Sequence, residues 1–373
     1  MGIGRLLLFL GKGVMFYDKR SPFFSKIVER TLLSRIGSSR QTYGVTLDLA
    51  GSGIVYEPGD ALAVIPRNDP AFVELILEKA GRTGKERVID PKTAHSLSLR
   101  QFLSERANLS RVTGRLVRAL KGGRERCARD RDVIDLLSDH LTKEISLETL
   151  VGSFAPLLPR FYSVASAQTK ERDRVDLLVS RLTYKMGDKT REGVASRFLC
   201  RSAEVGRTPV AIYHHPNRMF TIPKDRNKPL IMVGPGTGVA PYRAFLQERL
   251  RQGATGGHWL FFGERERAYD FYYEEFFSDL ARKGVLRLDC AFSRDQREKI
   301  YVQDEMVRRA DLIGEWIEGG AIIYICGDAH KMAKGVTKAL REIVMEKKGL
   351  SEGGARDFLR TLRREGRLLM DVY

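Results

Sequence analysis

The chain has 373 residues, 43% of them apolar, and 64 lysines and arginines against 47 aspartates and glutamates give a formal net charge of +17. That length and apolar content suit two or more substantial cores and exclude a disordered or fibrous protein. The four cysteines, at positions 127, 200, 290 and 326, have neither metal-ligand spacing nor the look of a disulfide framework, so a reducing, cytoplasmic setting is expected. In chain order, residues 1–19 form an N-terminal extension whose apolar run, Leu6 to Leu10, is too short for a membrane span. It also lacks the cleavage site of a signal peptide, so no membrane partner is expected; lying on a membrane surface is the alternative for this end. Residues 20–66 and 154–224 carry β-rich runs separated by turn residues, which predicts one antiparallel β-barrel in two pieces. Between them, residues 67–153 show helical periodicity, as at Ala71 to Leu77 and Val133 to Leu137, and form a helical insert. A polar segment flanked by Pro223 and Pro229 reads as a linker. From 229 to 373, strands alternate with helices, the pattern of a parallel sheet. The expected fold class is therefore α+β in two domains, an antiparallel barrel with a helical insert followed by an α/β domain.

Several motifs carry chemistry. Arg160-Phe161-Tyr162-Ser163 alternates along an extended segment, which sets Arg160 and Tyr162 on one face and Ser163 toward another. After a β-rich run from Val175 to Tyr184, Gly193-Val194-Ala195-Ser196 opens a helix suited to a pyrophosphate. Together these pieces describe a flavin site. The apolar run Leu230 to Val233, the glycine loop through Gly236 and Thr237, and a helical pattern from Tyr242 make a strand, turn and helix of the phosphate-binding kind. Ser293, Arg294, Lys299 and Tyr301 can surround a phosphate monoester, because arginine offers a planar fork of donors and tyrosine a ring face for adenine. An ordinary solvated loop is the alternative for Ser293-Arg294. No acidic residue here takes the ribose-binding role expected for NAD, so the coenzyme is read as NADPH. Ile322 to Ile325 reads as a buried parallel strand that delivers Cys326 to the ligand crevice, an inert buried thiol being the alternative. His214-His215 invites a metal reading, but no further ligand stands at the right spacing, and no metal is expected.

These motifs, with Lys299-Ile300-Tyr301-Val302-Gln303 and the terminal Asp371-Val372-Tyr373, occur in the order of a known family. The chain resembles the FAD/NADPH reductase part of the diflavin reductases, and most of all the flavoprotein component of NADPH-dependent sulfite reductase. The resemblance covers residues 40–373 and implies FAD and NADPH as cofactors on a ferredoxin-NADP reductase-like fold. It implies that Arg160 binds the FAD pyrophosphate, that Tyr162 packs on the flavin ring and that Ser163 reaches the reacting nitrogen. Val194 to Ser196 would hold phosphates by backbone and hydroxyl donors, and Leu178, Val179, Ser180 and Tyr184 match other FAD-contacting positions. Tyr373 would stack on the flavin face that the nicotinamide must reach, with Ser163, Cys326 and Asp371 around the hydride path. Gly335 departs from the family, whose members commonly have an aspartate there.

The resemblance also implies a partner. About forty residues precede the match, against ~100–150 for a typical domain, so no flavodoxin-like FMN domain and no FMN are expected. Electrons would pass to a separate acidic electron-transfer protein, flavodoxin-like or a ferredoxin, or to a sulfite reductase haemoprotein component. The positive charge is concentrated in the insert, at positions that include Arg100, Arg106, Arg111, Arg115, Arg118, Arg126 and Arg131. A docking surface for such a partner and a merely solvated face are both open readings of it. Nucleic-acid binding is not expected, since no nucleic-acid fold or aromatic platform accompanies the charge. A non-catalytic FAD-binding structural or regulatory subunit is the alternative to an enzyme.

Overall fold

The computed structural model describes residues 16–121, 131–139, 145–168 and 173–373. Six antiparallel strands run in the order Arg160–Ser163, Ala61–Ile65, Pro209–His215, Phe23–Leu32, Thr42–Asp48 and Arg174–Ser180. Phe23–Leu32 serves two partners: its first four residues pair with Pro209–His215, and from Ile27 on it pairs with Thr42–Asp48, with a register shift between Ile27 and Glu29. An irregularity of that kind bends a strand and turns a barrel corner. An isolated bridge from Val164 to Leu177 then joins the first and last strands and closes the sheet on itself. Ile27, Val45, Leu62, Val175, Val179 and Ile212 fill the interior.

The insert has a core of its own, built on residues such as Val73, Ile76, Leu103, Leu116, Leu136 and Leu150. Its helices start where the sequence supplies caps. Asp69 accepts from the Ala71 amide before Pro70–Lys79, Ser98 from Gln101 before Leu99–Glu105, and Ser146 from Thr149 before Leu147–Ser153. Two short strand pairs, Arg87–Ile89 with Ser96–Ser98 and Ala107–Asn108 with Ala155–Pro156, do not show in the periodicity. At two or three residues each, they are too brief to leave an alternation. Of the basic insert positions, Arg115 and Arg118 are exposed, whereas Arg126 lies outside the described residues, as does the apolar run Leu6 to Leu10.

The second domain is a five-stranded parallel sheet in the order Leu286–Phe292, His258–Glu264, Leu230–Val233, Ile322–Gly327, Leu368–Val372. Leu230–Val233 and Ile322–Gly327 are buried along their whole length, which is why they read as unbroken apolar runs rather than alternating ones. One face of the sheet packs on Met306, Ile313, Val336 and Leu340. The other packs on Tyr242, Phe245 and Phe277 in a cluster that also takes in Ala165, Leu178 and Phe220 from the barrel. The two domains therefore share one apolar core, and the architecture is that of a ferredoxin-NADP reductase. Among the described residues no helix is long and apolar enough to cross a membrane.

Candidate functional site

From the central strand Leu230–Val233 the chain adds strands outward to one side and then returns to add Ile322–Gly327 on the other. The carboxyl ends of these two strands bound the crevice where open α/β sheets receive ligands. The glycine loop lies there because two backbones nearly touch. A Cβ on Gly238 would stand 2.1 Å from the Cys326 carbonyl oxygen, and one on Gly234 would stand 2.5 Å from the Gly238 carbonyl. Gly236 has φ +59°, a conformation that costs a side chain strain. The short turn Gly236–Val239 leads into helix Ala240–Arg251, with Pro241 in its first turn.

Three side chains from distant parts of the chain converge at this crevice. Ser163 Oγ donates to Asp371 Oδ2 at 3.1 Å, and Cys326 Sγ donates to the same oxygen at 3.9 Å. Cys326 and Asp371 are register neighbours on adjacent parallel strands, while Ser163 ends a barrel strand. Burial pushes the Asp371 carboxyl above its ordinary 3.8, and the Ser163 and Cys326 hydrogen bonds and nearby His215 offset part of that. Complete burial drives the Cys326 thiol far up, so it stays protonated and acts as an S–H donor rather than a nucleophile. Tyr373 is fixed by its backbone, with its N–H on the Gly327 carbonyl at 3.1 Å and its carbonyl accepting from Ala329 at 3.0 Å. Its hydroxyl lies 3.0 Å from Thr237 Oγ1, and the residue is 64% exposed.

On the barrel side, Arg160 is exposed and forms no ion pair among the described residues, which leaves its guanidinium free for an anion. Tyr162 packs partly buried against the barrel core, and burial raises its phenol pKa. Phe161 turns to the other face, its ring 4.7 Å from that of His215. Leu178 and Val179 are buried, so only their backbone can meet a cofactor. Ser180 and Tyr184 are half-buried, Tyr184 on the hairpin Thr183–Met186 with Lys189–Glu192. The helix expected after Gly193 is a single turn, Val194–Arg197, that passes into the wider turn Phe198–Ser202. The Ser196 hydroxyl expected to hold a phosphate is already committed: it accepts from the Leu182 amide at 3.0 Å and donates to the Gly193 carbonyl at 3.1 Å. That leaves the backbone N–H groups of Val194, Ala195 and Ser196 as donors at this turn.

On the other side, the Ser293-Arg294 loop rides along a strand end, the Ser293 amide on the Glu264 carbonyl at 2.9 Å and the Arg294 amide on the Arg265 carbonyl at 2.8 Å. This brings in two arginines that the motifs do not contain. Burial lowers the Arg265 pKa, and the charges of Arg40 and Arg294 lower it further, so three guanidiniums gather here. Arg265 Nη1 donates to Ser39 Oγ at 2.5 Å, and Arg40 lies 3.9 Å from Glu264, so the barrel domain contributes to the cluster. Both arginines sit in connecting segments, where the one sequence signal is an unremarkable basic residue. In the neighbouring run, Val302 is buried and Ile300 packs against the core, while Lys299 and Tyr301 are exposed. A Cβ on Gly335 would stand 3.3 Å from the Gln303 side chain, so the missing aspartate leaves room for Gln303. His214 is taken up by Asp60 at 2.7 Å.

The family model of the FAD binding domain matches residues 16–110, and that of the oxidoreductase NAD-binding domain matches residues 232–338. The chain is 38% identical to the sulfite reductase [NADPH] flavoprotein alpha-component of Aliivibrio fischeri, over 96% of this chain and 61% of that protein. The proteins of the same name from Vibrio cholerae and Bacillus subtilis are 37% and 35% identical, over 96% and 97% of this chain and 60% and 62% of theirs. The chain thus spans about three fifths of the length of the curated relatives it matches.

Proposed function

The chain belongs to the FAD- and NAD(P)-binding reductases that include the sulfite reductase flavoprotein alpha-components, and from that premise we propose that it moves electrons from NADPH through FAD to a separate redox protein. The observation that carries the proposal is the convergence of Ser163 and Cys326 on one carboxylate oxygen of Asp371 at the mouth of the glycine loop. The residues present fit both cofactors. Arg160 is a cation with no ion pair among the described residues on the barrel side, Gly234 and Gly238 keep the loop tight against the sheet, and Arg40, Arg265 and Arg294 suit a nucleotide that carries an extra phosphate.

FAD supplies the ability to take two electrons together and release them singly. Ser163 presents a hydroxyl whose orientation Asp371 fixes, Asp371 holds negative charge where the nicotinamide turns positive, and Cys326 packs against both while donating to the carboxylate. Tyr373, tethered at Thr237, covers the crevice and must yield before a nicotinamide enters.

The relatives' name makes them one component of a sulfite reductase, which supports a partner component here too, with a flavodoxin-like protein or a ferredoxin as the other acceptors in view. The exposed Arg115 and Arg118 of the insert are the proposed contact for an acidic partner, and a cytoplasmic location belongs to the same proposal. The test is anaerobic addition of NADPH to the purified yellow protein, followed by mixing with a flavodoxin, a ferredoxin or a sirohaem-containing component. Bleaching of the flavin followed by reoxidation on mixing is the expected result. A bound flavin that NADPH does not bleach would instead identify a non-catalytic FAD-binding subunit.

A further inference from the structure

A groove of about 580 Å³ lies between helix Met332–Lys348, helix Glu352–Arg364 and the last strand, Leu368–Val372. Among the described residues six cations line it, Lys334, Lys338 and Arg341 from the first helix and Arg356, Arg360 and Arg363 from the second, and no carboxylate does. The acids that pair with them stand outside the groove. Glu352 serves both Arg341 and Arg356, Glu342 serves Lys338, and Asp357 serves Arg360. Three acids against six cations leave an excess of three positive charges, and exposed pairs of this kind hold their members weakly. Lys334 forms no ion pair among the described residues, and Arg363 meets only the Met370 sulfur, at 3.5 Å. The floor between the rows is apolar, made by Leu359, Met370 and Val372.

The shape selects the occupant. Lys334 to Arg341 and Arg356 to Arg363 each cover seven helical steps, about 10 Å at 1.5 Å per residue. Rows of that length match an extended segment of three or four residues, at about 3.3 Å each. A single phosphate would use one end of such rows and leave the rest unmet. A single nucleic-acid strand calls for aromatic rings on which to stack its bases, and among the described residues the lining has none. We propose that this groove receives an extended acidic segment of a partner protein, its carboxylates between the cation rows and one apolar side chain on the floor. Val372 places the groove directly beside Tyr373, so the segment seats at the edge of the crevice. The proposal is independent of the catalytic reading and survives if NADPH fails to bleach the flavin.

The test uses the full FAD-loaded chain and a fluorescein-labelled peptide, Glu-Glu-Leu-Glu-Glu, followed by anisotropy. Saturable binding that weakens toward an ionic strength of about 0.15 M is expected. The combined variant Lys334→Glu, Lys338→Glu, Arg360→Glu should weaken it about tenfold or more, and the insert variant Arg115→Glu, Arg118→Glu by less than about twofold. Should the triple variant fold poorly, Lys334→Glu alone touches no ion pair and should still cost about threefold. A peptide with serine for leucine should bind more weakly, since the floor then gains nothing from burial. Absence of saturable binding, an unchanged affinity in Lys334→Glu, or equal sensitivity to the insert variant overturns the proposal. So does displacement by tripolyphosphate or a single-stranded oligonucleotide at matched charge, which would make the groove a general anion site.

Discussion

Arg294→Ala should weaken NADP+ binding about 10- to 30-fold and leave NAD+ nearly unchanged. A charge-assisted hydrogen bond to a phosphate contributes about 1.5–3 kcal/mol, but the surroundings of Arg294 place this one in the lower half of that range. Arg40 and Arg265 share the site; burial lowers the Arg265 pKa most, and the charges of Arg40 and Arg294 lower it further, so the three cations repel one another. Removing Arg294 relieves some of that repulsion and leaves two guanidiniums to meet the phosphate. About 1.5–2 kcal/mol of net loss is then expected, which at 1.4 kcal/mol per factor of ten gives the stated range. Arg294 is exposed, so the loss should shrink as salt rises. Arg40→Ala should behave differently, because it also strips a cation from the nearly buried Glu264 carboxylate, whose pKa burial already raises. An added penalty for any phosphate is expected there at neutral pH, easing toward acid as Glu264 takes up its proton. Calorimetric titration with the oxidised nucleotides, at two salt concentrations, reads all of this without turnover. Equal losses for NAD+ and NADP+ in Arg294→Ala would refute the assignment, and an indifferent Arg40→Ala would remove the barrel domain from the site.

Further outcomes follow from the same geometry. Ser163→Ala and Asp371→Asn should slow flavin reduction about 10- to 1,000-fold in stopped flow while FAD content stays high; unchanged rates in both would remove them from the hydride path. Burial raises the Asp371 pKa, so in the parent the ionised fraction and the rate should fall with pH through a value above 3.8, and this acid limb should vanish in Asp371→Asn. Gly238→Ala presses a methyl group into the Cys326 backbone and should cost about 1–3 kcal/mol, read as a lower melting temperature, whereas Gly152→Ala, with open space on a helix, should stabilise by up to about 1 kcal/mol. Charge reversal at Arg115 and Arg118 should slow electron delivery to an acidic acceptor and leave NADPH-driven bleaching intact; a transfer rate insensitive to both salt and reversal would make the insert a solvated face.

What is legible in the sequence divides along a physical line. Leu230–Val233 and Ile322–Gly327 can be read directly, because burial on both faces forces continuous apolar runs, and the glycine loop can be read because Gly234 and Gly238 stand where no Cβ fits. Barrel closure through Val164 and Leu177 cannot, since neither residue's neighbours differ from those of an open sheet. Nor can the commitment of the Ser196 hydroxyl, because its partners Leu182 and Gly193 are set by a tight local fold rather than by a pattern.

The pairing of Ser163 with Asp371 belongs to the same second class, and it depends on how the domains dock. The shared core around Phe220, Tyr242 and Tyr324 supplies the apolar part of that docking. A polar seam supplies the orientation. Arg35 meets Glu274 at 2.7 Å, Ser38 donates to Asp270 at 2.5 Å, and Thr42 Oγ1 donates to the Tyr272 hydroxyl at 3.0 Å. Arg265, which belongs to the cluster of three arginines, bonds to Ser39 in the middle of this seam. One segment of the barrel domain, residues 33–42, therefore both joins the two domains and carries Arg40 to the arginine cluster proposed for the nucleotide's extra phosphate. On the proposed reading, a change in the seam should therefore alter both coenzyme affinity and the alignment of Ser163 on Asp371, even where it touches neither ligand; an Arg35→Ala variant with unchanged NADP+ affinity and unchanged flavin reduction would refute this.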